Sequence, residues 1–312
     1  MDAFGDLFRG MRARGSLFGS STLSPPWALH FVDGAPLTLC TVLGAPGWIV
    51  PEGHPPEQLR PGETIIVRGP APFTFVDAPG TRAVPIACGE HCATPEQGGT
   101  RHRRGWTDSG GSAGATTFIV GAYPVCGEIS RRLLDALPVV LRVGCGGEAD
   151  PVLDHLAAEV ATDTPGQQVV LDRLLDWLLV CSVRDYFDRP GSEPPGWYAA
   201  QRDPVVGGAL RLLHDEPAAP WTVGSLADRA GVSRSTLAKR FADLVGEPPL
   251  TYLTVWRMTL AADLLTERES ATVAEIARAV GYSDPFAFSV AFKRIRGVSP
   301  SEFRRTGALV RA

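Results

Sequence analysis

Lysine is almost missing from this chain: of 30 basic residues only Lys239 and Lys293 are lysines. Long apolar runs are missing too. None approaches the roughly 18 residues of a membrane-spanning helix, which excludes a helical membrane protein. Residues 1–15 lack the apolar stretch of a secretion signal, so a cytoplasmic location is expected. Cysteine is limited to Cys40, Cys88, Cys92, Cys126, Cys145 and Cys181. In a cytoplasmic chain these are not expected to form structural disulfides, and small buried hydrophobes are their default role. Acidic charge is in slight excess, with a net of −4, which taken alone argues against nucleic acid.

The distribution of charge reverses that argument. Residues 221–312 hold 13 basic and 9 acidic side chains, whereas the remaining 220 residues hold 17 and 25. Positive charge is thus concentrated in one third of the chain, as a phosphate-binding surface requires. At 312 residues and 44% hydrophobic content, the chain is long enough for two domains with separate cores.

A pattern occurs twice in that basic third. Ala227, Gly231 and Ser233 repeat as Ala277, Gly281 and Ser283. Each set precedes a stretch with helical apolar spacing, in which Leu237 and Phe241 match Phe288 and Phe292 as inward anchors. Further on, Gly246-Glu247-Pro248-Pro249 matches Gly297-Val298-Ser299-Pro300, and Tyr252 matches Phe303. Thr222 and Thr272 are expected to cap the first helix of each copy, and Ser233 the second helix of the first copy. Gly231 and Gly281 stand where a tight turn favours a residue without Cβ. The pattern predicts two helix-turn-helix units joined by a helix over about residues 249–266.

In such units the second helix enters the major groove of DNA. The base-facing candidates are Arg234, Ser235, Thr236, Ala238 and Lys239 in the first copy. In the second they are Asp284, Pro285, Phe286, Ser289 and Val290. Arg and Lys read guanine, Ser bonds several bases, and apolar side chains touch the thymine methyl. The first copy is richer in hydrogen-bonding groups and is expected to supply more of the direct readout. Arg240, Lys293, Arg294, Arg304 and Arg305 are candidates for phosphate contacts.

The remainder divides by texture. Residues 1–25 read as a short amphipathic helix or a loose arm. Residues 26–128 carry short apolar runs, at 37–43, 48–50, 64–67, 73–76 and 116–120, separated by Gly/Pro turns, which suggests a barrel or jelly roll. Within this part, residues 94–115 are glycine-rich and read as a loop. Residues 129–215 are read as a helical segment for dimerisation or packing. Its longest helix is expected over 167–187, with an apolar stripe of Val170, Leu171, Leu174, Leu175, Leu178 and Cys181. Residues 216–220 look like a linker to the DNA-binding part at 221–312.

The stretch from Ile276 through Gly281-Tyr282-Ser283-Asp284-Pro285-Phe286-Ala287-Phe288-Ser289, then Phe292-Lys293-Arg294, resembles the AraC/XylS family of transcriptional regulators. The resemblance implies seven helices in two subdomains joined by a rigid helix, entering two adjacent major grooves of promoter DNA. It further implies a homodimer that acts with RNA polymerase. The chain departs from the family's common pattern at Ser235, Lys239 and Val290, so an operator sequence does not transfer. Leu59-Arg60-Pro61-Gly62-Glu63 with Gly69-Pro70-Ala71-Pro72-Phe73 resembles the cupin-type barrel of one branch. The fold expectation is therefore α+β: an N-terminal cupin-like β-barrel with a helical segment, then an all-α double helix-turn-helix domain.

A cupin enzyme needs a cluster of His and Glu around one metal. Phe73 stands where a later His is common, and no His-x-His precedes it. A regulator is expected rather than an enzyme. The alternative is a cupin-like metalloenzyme, or a metal-binding protein, tethered to DNA. Cys88, His91, Cys92, His102 and Cys126 form a group whose residue types suit zinc or another thiophilic metal. Nearby arginines equally suit a redox-reactive thiolate, and burial without a special role is the third reading. The effector, whether small molecule, metal or oxidant, is not named by the sequence.

Overall fold

The computed structural model describes residues 3–8, 11, 21–32, 34–82, 84–86, 100–102, 105–107, 116–123, 127–144, 151–162 and 164–311. Two compact units are present. One comprises Gly10–Val125 and Leu137–Ser192; the other comprises Met1–Arg9, Cys126–Ala136 and Glu193–Ala312.

The first unit contains β1 (Ser21–Leu23), β2 (Ala28–Phe31), β3 (Leu37–Gly44), β4 (Gly47–Pro51), β5 (Glu57–Leu59), β6 (Glu63–Arg68), β7 (Phe73–Val76), β8 (Val84–Ile86), β9 (Thr100–His102), β10 (Gly105–Thr107), β11 (Thr116–Tyr123) and β12 (Val140–Gly144). They form one sheet in the order β12-β6-β3-β11-β1-β10-β9 and another in the order β5-β4-β7-β2-β8. Most pairings are antiparallel; β1 with β10 and β2 with β8 are parallel. Trp27 and alternate side chains of both sheets, including Phe31, Val42, Ile49, Ile65, Phe75 and Phe118, meet in one apolar core. The expected cupin-type β fold is therefore present. Among the described residues, however, the strands remain two open sheets and do not close into one barrel, because no ladder links the edge of one to the other.

β3 is buried along most of its length on both faces. That is why it reads as an unbroken apolar run rather than an alternating one. Cys40 and Val42 face the shared core. Gly121, paired with Leu39 across the ladder, faces away from it. A Cβ there would lie 3.3 Å from Leu175 Cδ1, so glycine lets a helix approach the sheet.

That helix is α4, numbered with the others in chain order after α1 (Ala3–Leu7), α2 (Glu128–Asp135) and α3 (Pro151–Val160). α4 runs Gln167–Asp188 and packs against α3. Its buried stripe is Leu171, Leu175, Leu178, Leu179, Ser182 and Val183. Val170 is exposed and Cys181 only half-buried, so the stripe is rotated slightly from the expected one.

Two further expectations change. Residues 94–115 are not all loop: β9 and β10 pair as a hairpin, with Gly105 opposite His102. Residues 140–144, expected in a helical region, form β12 on the edge of the larger sheet, with Leu141 opposite Ile66. Pro138 stops the preceding helix, and pairing with a strand seventy residues earlier decides the rest.

The second unit is helical. It holds α1, α2, α5 (Gly196–Ala199), a 3₁₀ turn at Ala200–Arg202, α6 (Val206–Asp215), α7 (Val223–Ala230), α8 (Arg234–Val245), α9 (Pro249–Glu267), α10 (Val273–Ala279), α11 (Pro285–Arg296) and α12 (Pro300–Arg311). Among the described residues it has two apolar cores. Leu210 and Leu213 of α6 join Leu226, Leu237, Phe241, Tyr252 and Leu253 in the first. Met258, Ala262, Leu265, Ile276, Phe288 and Phe292 form the second. α9 contributes to both.

Candidate nucleic-acid interface

The two helix-turn-helix units are built from local signals. Thr222 accepts a hydrogen bond from the Ser225 amide at 3.0 Å, while Ser225 Oγ accepts one from the Thr222 amide at 2.9 Å. This reciprocal box starts α7. Gly231 ends it in the left-handed region at φ 67°, and Ser233 caps α8 through the Thr236 amide at 3.1 Å. In the second copy Thr272 and Glu275 form the same box around α10. The Thr272 amide and hydroxyl hold the Glu275 carboxyl below its usual range. Gly281 has φ 86°, and a Cβ there would stand 2.6 Å from the Ala218 carbonyl oxygen, so both conformation and space require glycine.

Arg234, Ser235, Thr236, Lys239 and Arg240 are exposed on α8, and Ala238 is half-buried beside them. Lys239 donates to Asp243 at 2.7 Å, and this bond with its charge raises the Lys239 pKa. Such exposed pairs are weak and readily exchanged. Arg240 is held by Asp203 at 2.5 Å. Burial pushes the Asp203 carboxyl up, but the Val206 amide and Arg240 outweigh it and hold it low. Arg240 is therefore tied to the start of α6.

On α11 the carboxylate of Asp284 accepts the Phe286 amide at 2.9 Å and the Ala287 amide at 3.1 Å. It is the helix cap. Pro285 follows at the first helical position, where its missing N–H costs nothing. Ser289 is half-buried and donates to the Pro285 carbonyl at 2.9 Å. Phe286, Val290, Lys293 and Arg294 are exposed. Arg304 and Arg305 lie on α12, where Arg305 is exposed and Arg304 half-buried. Nε and Nη2 of Arg304 are buried without a hydrogen-bond partner among the described residues.

Polar ties that the sequence reading did not single out connect α1 and α2 to α6, α9 and α11. Gly127, at φ 129°, precedes α2 with no side-chain cap of its own. Asp263 of α9 supplies the cap instead, accepting the Glu128 amide at 2.5 Å and the Ile129 amide at 3.2 Å. A Cβ on Gly127 would stand 2.8 Å from that carboxylate. Glu128 in turn accepts from Arg296 of α11 at 2.7 Å, and Arg296 donates to Thr259 at 3.0 Å. Arg132 lies over the rings of Tyr252 and Trp256, 5.5 and 5.7 Å from their centroids. From α1, Asp6 accepts from His214 Nδ1 at 2.7 Å, and His214 Nε2 meets the Tyr252 hydroxyl at 2.8 Å. The one sequence clue was an acid, Asp263, inside the otherwise apolar stretch from Leu260 to Leu265.

The sensor candidates fall largely outside the described residues. Cys88, His91, Cys92 and Cys126 lie outside the described residues, and for His102 only the backbone, in β9, is described. Cys40 is buried in the sheet core, which pushes its thiol well above the usual range. Among the described residues no group of His, Cys, Asp and Glu is placed to hold a metal ion. Nor is any helix long and apolar enough to cross a membrane.

Comparison with known proteins agrees with this architecture. Residues 2–188 match the Cupin family model and residues 226–306 match the Helix-turn-helix domain model. A putative AraC-like transcription regulator of Streptomyces lividans is 34% identical over 310 residues, covering 98% of each chain. One from Streptomyces antibioticus is also 34% identical, covering 98% of this chain and 99% of its own. Among solved structures, the DNA-binding domain of AdpA in complex with a target DNA is 33% identical, covering 33% of this chain and 92% of its own, with a TM-score of 0.31. The chain belongs to the AraC-like transcription regulators: it joins a cupin-type N-terminal domain to a helix-turn-helix DNA-binding domain. It is a DNA-binding regulator of transcription.

Asp263 gives a pH dependence with a definite sign. Burial raises its carboxyl to about 6, against the lowering effect of the two amides it accepts. An unfolded Asp titrates near about 4. Between these values the folded state binds more protons than the unfolded one, so this group's contribution to stability falls as pH rises. The unfolding midpoint of the wild type relative to that of Asp263→Asn is expected to decline from about pH 4 to about pH 6; a constant difference would contradict the assignment.

Proposed function

We propose that α8 and α11 read adjacent major-groove segments of promoter DNA, with α8 supplying most of the hydrogen-bonded readout. The observation that carries this reading is the placement of both helices on one spine, α9, each with an exposed leading face and buried anchors behind it. Arg234, Ser235 and Lys239 are the base-reading groups on α8. Thr236 and Ala238 complete its surface, while Lys293 and Arg294 contact phosphates. Arg240, tied to Asp203, and the half-buried Arg304 of α12 add positive charge to the same phosphate-facing surface. Asp284 and Ser289 shape the end of α11, with Pro285.

Selection from a random duplex pool is expected to return a preferred site. Lys239→Ala should weaken binding to it by about 1–3 kcal/mol and relax a single base position. Equal, salt-labile binding to all duplexes would refute the reading.

The sheet unit is the signal receiver in this proposal, and α1 and α2, which adjoin it in sequence, pass its state to α9. The space between the sheets is filled by aromatic side chains: Phe31 stacks on Phe73 at 4.9 Å, and Trp27 meets Phe118 edge-on at 4.6 Å. That disfavours a ligand between the sheets, and the receiver is assigned to Cys88, His91, Cys92, His102 and Cys126, as a metal site for zinc or another thiophilic ion or as a thiol redox site. The exposed Val169, Val170 and Trp177 on α4 support a homodimer, with regulation exerted through RNA polymerase. Elemental analysis of the purified protein is expected to find a thiophilic metal that Cys88→Ser/Cys92→Ser removes, or else thiol titration is expected to find a greater oxidant-dependent loss of free thiols in the wild type than in that variant. Neither metal nor thiol loss would refute the receiver site.

A further inference from the structure

The two copies place different chemistry at the same positions of their recognition helices. Leu237 and Phe241 on α8 and Phe288 and Phe292 on α11 are all fully buried anchors, 51 residues apart pair by pair. That alignment sets Ser235 against Phe286 and Lys239 against Val290. In α8 these positions carry a hydroxyl and an ammonium. In α11 they carry a phenyl ring that is 76% exposed and an isopropyl group that is 55% exposed, one turn apart.

The rest of the leading face of α11 is committed elsewhere. Both carboxylate oxygens of Asp284 accept amides of their own helix, and the Ser289 hydroxyl donates to the Pro285 carbonyl. Lys293 and Arg294 follow on the same side, exposed and without an ion pair among the described residues. The stripe is apolar at its leading end and cationic behind. A protein partner would not require trailing cations. The major groove does, since its phosphate walls are anionic, and it offers an apolar group on one base alone, the 5-methyl of thymine.

The geometry points to thymine-methyl recognition by Phe286 and Val290, so that α11 reads sequence by apolar contact where α8 reads by hydrogen bonding. This rests on the proposal that both helices face DNA. It makes the half-site under α11 dependent on thymine for a reason unrelated to hydrogen bonding. Replacing thymine by uracil removes the methyl and keeps every donor and acceptor.

The test uses the full chain and a site selected from random duplexes. The α11 half-site is the part whose preference changes in Phe286→Ala. It is expected to contain thymine, and uracil in its place should weaken wild-type binding about four-fold per methyl. Phe286→Ala and Val290→Ala should bind thymine and uracil duplexes with nearly equal affinity. Because both side chains are exposed, each variant should keep the wild-type thermal midpoint. Failure to select any preferred site would overturn the DNA-reading proposal itself. A preferred site in which the α11 half lacks thymine, or tolerates uracil without loss in the wild type, would overturn only the methyl readout. Equal uracil penalties in the wild type and in both variants would do the same, and would leave the patch to a protein partner.

Discussion

Everything in the helical unit depends on the burial of α9 in two separate cores. Tyr252 and Leu253 at one end lie among the side chains of α6, α7 and α8. Met258, Ala261, Ala262 and Leu265 at the other lie among those of α10 and α11. A 19-residue helix spans about 28 Å, so it holds the two recognition helices apart by a length that the packing does not let vary. A jointed linker would let each helix-turn-helix search DNA alone. Under the proposed function, a packed helix would make both bind as one body, which spares the entropy of ordering a joint.

The polar ties matter because of where they attach. Asp263, Thr259, Tyr252 and Trp256 are all on α9, and they hold α2 through amides, Glu128 and Arg132, and α1 through His214 and Asp6. Asp263 is buried, and truncating a buried group that satisfies two amides leaves both without partners. Within the helical unit, α1 and α2 are thereby joined to α9 by directional bonds rather than by apolar contact alone. Directional bonds have few alternative geometries, which suits elements that must hold one register or let go.

Legibility in the sequence followed the range of the interactions. The helix-turn-helix repeat could be read because its determinants are local: Thr222, Ser233 and Thr272 cap within three residues, and Gly231 and Gly281 answer to their own φ. Asp284 could be placed at the start of α11, but its capping of the Phe286 and Ala287 amides needed the structure. β12 was illegible because its identity depends on pairing with β6, far away in sequence, and the β9–β10 pair because three-residue strands carry no periodicity. Gly127 and Asp263 explain each other only once α2 and α9 are side by side. That the sheets stay open is likewise a property of long-range ladders, which short alternating runs do not specify.

The central claim is that α9 fixes the spacing of the two recognition helices, and it is tested most directly by changing the spacing of the DNA. Insertions of half a helical turn, about 5 bp, and of a full turn, about 10 bp, would be placed between the two half-sites of a selected duplex. A rigid spine predicts that both insertions reduce affinity to that of an isolated half-site, even though the longer one restores the helical face. Recovery of full affinity with the full-turn insertion would contradict it, by showing that the two units reach their half-sites independently.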